Sequence, residues 1–245
     1  MDTNMRRDLN ISGVLGGCGG GTFNTISING SGTMNGNVDC IRFVASGRAA
    51  VRGSMIAESV EVNGSASFGE RLDAGKLRIN GKTDIEGMLV AGEMRVDGYL
   101  KVGGDVKADS MEINGSFTGR GSCEAERFRS RGSFRLDGLL NAGSVDIDLF
   151  AECRAKEIGG ETIVVRKTGV DSPIGRLVKA LVLSKEMLFA DLIEGDEIRL
   201  EYTKAAVVRG TNVTIGPGCD IGLVEYTGEF RRFSDAVVGC SKQIG

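Results

Sequence analysis

The sequence predicts an all-β protein, a parallel, three-sided β-helix solenoid of about 17 residues per coil, with a short helix between two β-helical blocks. Three observations predict it. Glycine recurs at positions 13, 30, 47, 64, 81, 98, 115 and 132, each 17 residues after the last. Counted from each of these glycines, apolar or small residues return at offsets 2, 4, 8, 10, 13 and 15, as in Ala66, Phe68, Leu72, Ala74, Leu77 and Ile79. Composition agrees: 38 glycines against 2 prolines and only 5% aromatic residues describe many turns around a thin core.

Each element follows from the repeat. The residue before the glycine is Ser12, Asn29, Ser46, Asn63, Asn80, Asp97, Asn114 or Arg131. Most of these types prompt a turn, so each unit is expected to end at a corner with its glycine at positive φ. Pairs of apolar residues two apart are the strand signature, because alternate side chains share a face. Three such pairs per unit, set apart by short corners bearing glycines such as Gly53, Gly87, Gly104 and Gly138, describe a triangular coil with an inward core. Stacked coils place like above like. Offset 10 is then a small column (Cys40, Ala57, Ala74, Ala91, Ala108) and offset 13 a large one (Phe43, Val60, Leu77, Met94, Met111). A lone coil buries too little to offset the ordering of its backbone, so neighbouring coils must hold each other. A β-sandwich or propeller normally has longer repeats containing hairpins. A left-handed hexapeptide helix steps evenly, whereas these offsets do not. The columns alone leave handedness open.

The regular block runs over residues 9–148, and at 149, where glycine is due, stands Leu149. Residues 149–171 are an irregular coil. A second, less regular block occupies 187–228, with a tail or cap at 229–245. Across residues 155–228 runs a weaker echo of apolar pairs three and five residues after a glycine: Ile163 and Val165 after Gly160, Ile198 and Leu200 after Gly195, Val213 and Ile215 after Gly210. These read as a continuation of the stack or as a second short stack. Between the blocks, Ser172 and Pro173 suit an N-cap and first helical position, and Ile174, Leu177, Val178 and Leu181 follow helical spacing, which predicts a short helix or connector at 172–186. "VKALVLS" suits a strand equally well.

Composition narrows the function. Net charge is −3 with both signs spread along the chain, so no general nucleic-acid binder is expected. No run of 18 apolar residues and no apolar N-terminal stretch is present, so a cytoplasmic location is expected. The six cysteines lack CxxC pairing and there is no His, so they read as small hydrophobes rather than metal ligands. "LGGCGGGTFN" has no G-K-[ST] and keeps the 17-residue register, so it reads as a glycine-thinned first coil rather than a nucleotide loop. Without His the usual general base is missing, and the tight unit leaves no room for catalytic insertions. No enzyme, cofactor or metal is expected.

One dense basic run, Arg120, Arg127, Arg129, Arg131 and Arg135, is interleaved with Phe128 and Phe134. It is a candidate for anionic lipid headgroups or an acidic partner surface, against the plainer reading of a solvated corner.

These columns and corners over residues 9–148 resemble the bactofilins, bacterial polymer-forming cytoskeletal proteins built on a compact, triangular, right-handed β-helix. "ADLIEGDEIRLEYTKAAVVRG" and "VTIGPGCDIGLVEY" look like segments of longer bactofilin-like proteins of Firmicutes. The resemblance implies nonpolar filaments assembled without nucleotide, often at the membrane, as scaffolds for cell shape, the envelope or motility organelles. It also implies homo-oligomers or filaments, co-assembly with a related subunit, and peripheral membrane association. Physics supplies a reason: the ends of a β-helix expose unpaired backbone and core side chains, which are either capped or template another molecule. The candidate mating residues are Leu9, Ile11 and Leu15 at one end and Val224, Tyr226, Phe230 and Phe233 at the other. The rivals are a capped interaction module of the same fold and a carbohydrate-active or acyltransferase enzyme.

Overall fold

The computed structural model describes residues 6–167 and 186–245. The chain divides into two compact units, residues 1–125 and 126–245. Both are parallel β-solenoids, and among the described residues there is no helix. The helix or connector expected at 172–186 lies outside the described residues apart from Glu186.

In the first unit, four-residue and eight-residue strands alternate: Ser31–Met34, Val38–Ala45, Arg48–Val51, Met55–Val62, Ser65–Phe68, Leu72–Ile79, Lys82–Ile85, Leu89–Val96, and so on to Ser116–Gly119. Like pairs with like, in parallel and 17 residues apart: Thr83 sits over Ala66 and under Leu100, Leu89 over Leu72 and under Val106. The expected columns are the core. Cys40, Ala57, Ala74, Ala91 and Ala108 are buried, as are Phe43, Val60, Leu77, Met94 and Met111. Volume is balanced across the coil. Where offset 2 holds only Ala49 and Ala66, Phe43 and Phe68 fill the axis edge to face with centroids 5.9 Å apart.

Two details differ from the sequence reading. Only two of the three corners interrupt a strand. The third lies inside each eight-residue strand, where two successive residues point outward and the alternation restarts, as Gly75 and Lys76 do between buried Ala74 and Leu77. The corner glycines also serve a different purpose. Gly21 and Gly218 are the only described glycines at positive φ, so the Asn-Gly corners are not left-handed. Instead, the amides of Asn80 and Gly81 both donate to the Val62 carbonyl of the coil below, at 2.8 and 3.0 Å. This draws the corners so close that a Cβ on Gly64, Gly81, Gly98 or Gly115 would run into the carbonyl oxygen of the preceding corner glycine. The side chains beside them add their own ladder, with Asn80 Nδ2 donating to Asn63 Oδ1 at 2.6 Å and Asn114 Nδ2 to Asp97 Oδ1 at 2.8 Å.

One inward position breaks the apolar rule. Thr83 is fully buried and its hydroxyl has no hydrogen-bond partner. A buried, unmet hydroxyl costs about 1–3 kcal/mol. Thr83→Val, which keeps the shape, is therefore expected to stabilise the protein and raise its melting temperature by a few degrees, measured by thermal circular dichroism.

In the second unit the strands fuse and the step varies. Leu139–Leu149 pairs with Glu157–Lys167 at a step of 18 residues (Leu139↔Glu157). Leu188–Leu200 pairs with Thr203–Ile215 at 15 (Leu188↔Thr203), and Asp220–Tyr226 with Val237–Gln243 at 17 (Asp220↔Val237). The glycine echo is in register: Gly160, Gly195 and Gly210 align, as do Ile163, Ile198 and Val213, and Val165, Leu200 and Ile215. Because Leu139–Leu149 already belongs to this ladder, the described residues between 155 and 228 continue it. The step from Gly160 to Gly195, like that from Cys153 to Leu188, is 35 residues.

Candidate functional site

The N-terminal edge of the first unit is built from Arg7–Ile11 and Val14–Cys18. Among the described residues, the former pairs only with Gly21–Ile28 and the latter only with Ser31–Met34, so each has one unpaired edge. The register slips between Arg7 and Leu9 and between Leu15 and Cys18, where glycine thins the rung. Leu9 and Leu15 are half-buried, Ile11 is 5% exposed, and Val14 stands 87% exposed beside them. The "GGCGGG" run lies in the first coil, ending the strand Val14–Cys18 and opening Gly21–Ile28.

The C-terminal edge of the second unit is Phe230–Arg232 and Val237–Gln243, which among the described residues pair only with Thr203–Ile215 and Asp220–Tyr226 respectively. Tyr226 and Phe230 stack with centroids 5.4 Å apart. Phe233 and Val237 are exposed. Val224 is not part of this surface: it is fully buried, with Ser241 of the last strand above it. Sequence reasoning misplaced it because it took residues 229–245 for a tail or cap, whereas 237–243 adds one more rung. That rung is mixed where the core would continue, with Phe230 over Val213 and Val238 over Ile221 but Ser241 over Val224 and Arg232 over Ile215.

The basic run does not converge on one site. Arg120, in the first unit, and Arg127, in the second, are exposed and have no ion-pair partner among the described residues. Arg129 and Arg131 approach Asp148 Oδ2 at 3.9 and 3.5 Å, and Arg166 Nε reaches its Oδ1 at 2.7 Å. Arg166 also lies 2.8 Å from Asp146 Oδ1, an ion pair whose angle falls outside hydrogen-bond geometry. Arg135 pairs with Asp137 at 3.5 Å. Two of the five arginines are therefore drawn to a buried carboxylate that Arg166 holds more closely than either. Asp148 and Arg166 were missed in the sequence. The signal was there: Asp148 follows Arg131 by one 17-residue step.

Two open grooves mark the second unit. One, about 570 Å³, carries Arg154 over the Phe189 ring at 4.7 Å and a Lys204–Asp220 pair at 2.7 Å. The other, about 530 Å³, is floored by Gly160, Gly195 and Gly210. The thiols of Cys40, Cys123, Cys153 and Cys219 are buried, which disfavours their thiolates. Burial pushes Cys40, Cys123 and Cys153 up to about 12 and Cys219 up to about 11. Among the described residues no cluster of His, Cys, Asp and Glu could hold a metal ion, and no helix is long and apolar enough to cross a membrane.

The chain is similar to a protein of Bacillus subtilis (strain 168) named Uncharacterized protein YhbE, 60% identical over 235 residues that cover 94% of this chain and 97% of the relative. It belongs to the YhbE family. A second protein of the same organism, Uncharacterized protein YhbF, is 45% identical over 89 residues, 36% of this chain and 34% of its own length. No family model matches the chain, and no solved structure does.

Proposed function

We propose that this YhbE-family protein is a cytoskeletal scaffold subunit that assembles end to end, without a nucleotide, into filaments of the bactofilin type. One observation carries the reading: each terminal rung has an unpaired strand edge among the described residues, and exposed apolar residues, Val14 at one and Phe233 and Val237 at the other, accompany it. Such an edge templates another chain unless charge, proline or a cap blocks it. The scaffold works in the cytoplasm, with other copies or a related subunit as partners, and organises cell shape or an envelope or motility structure.

A second reading, a capped module that does not polymerise, draws on Arg232 and Ser241 standing over core residues in the C-terminal rung, since terminal repeats of soluble solenoids end in polar faces. Val14→Lys and Val237→Lys separate the two. Both sites are exposed, so the fold is expected to survive. The wild type should form filaments under the electron microscope at tens of micromolar, and each variant should shorten or abolish them. Wild-type protein that stays monomeric there would favour the capped module.

A further inference from the structure

The outer faces of the first unit are not alike in charge. On the face formed by the eight-residue strands' second halves, opposite charges one coil apart are zipped together: Arg42 with Glu61, Lys76 with Glu93, Arg78 with Asp97 and Arg95 with Glu112. The face of the four-residue strands, with the residue that follows each, is basic. From Ser31 to Arg120 it carries Arg48, Arg52, Lys82, Lys101 and Arg120 against Asp84 and Glu86. Its other outward residues are mostly small, such as Thr33, Ala50, Ser65 and Ser67, so it is flat. The remaining face, the eight-residue strands' first halves with the residue before each, is acidic. From Asn37 to Glu124 it carries Asp39, Glu58, Asp73, Asp105, Asp109 and Glu124 against Arg71 and Lys107.

The unpaired members decide the matter. Among the described residues, Arg48, Arg52, Lys101 and Arg120 have no ion-pair partner on the basic face, and Glu58, Asp105 and Asp109 have none on the acidic face. Arg48 and Glu58 belong to the coil that starts at Gly47, and Lys101 and Asp109 to the coil that starts at Gly98. Arg48 and Lys101 are therefore separated by the same three rungs as Glu58 and Asp109, about 14 Å at the strand spacing, while Arg120 lies one rung further on. A fluid anionic surface imposes no such spacing. A second copy of the same chain does.

We propose that the basic face of the first unit docks side by side on the acidic face of another copy, in matching rung register, with Arg48 opposite Glu58 and Lys101 opposite Asp109. The contact joins two different faces, so each copy can engage a neighbour on either side and an assembly widens laterally. It goes beyond end-to-end growth and does not depend on it, because length and width are read separately. Charge complementarity of this kind sets register and fades with salt.

The test uses the full chain, with electron microscopy and light scattering at ionic strengths of about 0.02 M and about 0.5 M. The wild type is expected to show side-by-side species at low salt that disperse at high salt. Arg48→Glu, whose ladder neighbours are Ser31 and Ser65, and Glu58→Lys, which lies beside Ile41 and Gly75, should each lose them. The combined variant Arg48→Glu/Glu58→Lys should restore them, since the reversed pair is complementary again. Melting within about 2 °C of wild type certifies the fold of each. Wild-type particles that stay single-width at low salt, or a combined variant no better than its parents, would overturn the proposal while leaving end-to-end growth standing. So would sedimentation of single-width protein with phosphatidylglycerol vesicles that is lost in Arg48→Glu, which would assign the basic face to a membrane. Shortened filaments of unchanged width would instead point to the terminal rungs.

Discussion

Gly98→Ala is expected to destabilise the protein by about 4–5 kcal/mol, in the range reserved for backbone-level damage, while Gly13→Ala should change stability by less than about 0.5 kcal/mol. Both residues occupy the same corner of the 17-residue unit. A Cβ on Gly98 would overlap the Gly81 carbonyl oxygen and sit 2.5 Å from that of Asn80, so two backbones must part and the ladder between their coils must loosen. A Cβ on Gly13 meets nothing within 4 Å, because no described coil lies beneath it. Neither substitution meets a left-handed backbone, so conformational strain does not confuse the comparison. Paired thermal or urea melts check it. Equal losses at the two sites would show that the glycines answer to local backbone geometry and not to stacking.

Phe68→Ala is expected to cost about 3–5 kcal/mol. The ring is fully buried on the axis and packs edge to face on Phe43. Its inward neighbours at offset 2, Ala49 and Ala66, are too small to move into the gap, and the coils above and below are fixed by backbone ladders on every side. The cavity therefore stays open. Phe68→Leu should recover a large part of the loss, and chemical denaturation of the three proteins side by side gives the comparison.

What the sequence made legible followed from one number. A step of 17 predicted which residues lie inside, which of them are small, and that every coil is parallel to the next, because a closed coil leaves each residue above its own counterpart. The same step would have paired Lys76 with Glu93, Arg95 with Glu112 and Lys107 with Glu124, all of which are ion pairs. The corner glycines were placed correctly and explained wrongly: Asn-Gly suggests positive φ when only local chain preferences are considered, whereas here the demand for glycine comes from the coil below. The third corner was hidden because it needs no break in the strand. Beyond Asp148 the step changes to 18, 35 and 15, so the pairing of Leu139 with Glu157 and the burial of Val224 under Ser241 had no period to announce them. The candidate ends were legible as apolar residues near the termini, but which of them face outward depends on the last rung, and that rung carries polar residues.

Amide hydrogen exchange as a function of protein concentration tests the central claim most directly, because it reads the edge strands themselves. If the terminal rungs join copy to copy, amides in Arg7–Ile11 and Val237–Gln243 exchange quickly in dilute solution and become protected as concentration rises, while interior strands such as Leu89–Val96 stay protected throughout. Edge amides that exchange equally fast at every concentration, beside an unchanging interior, would contradict assembly through the ends.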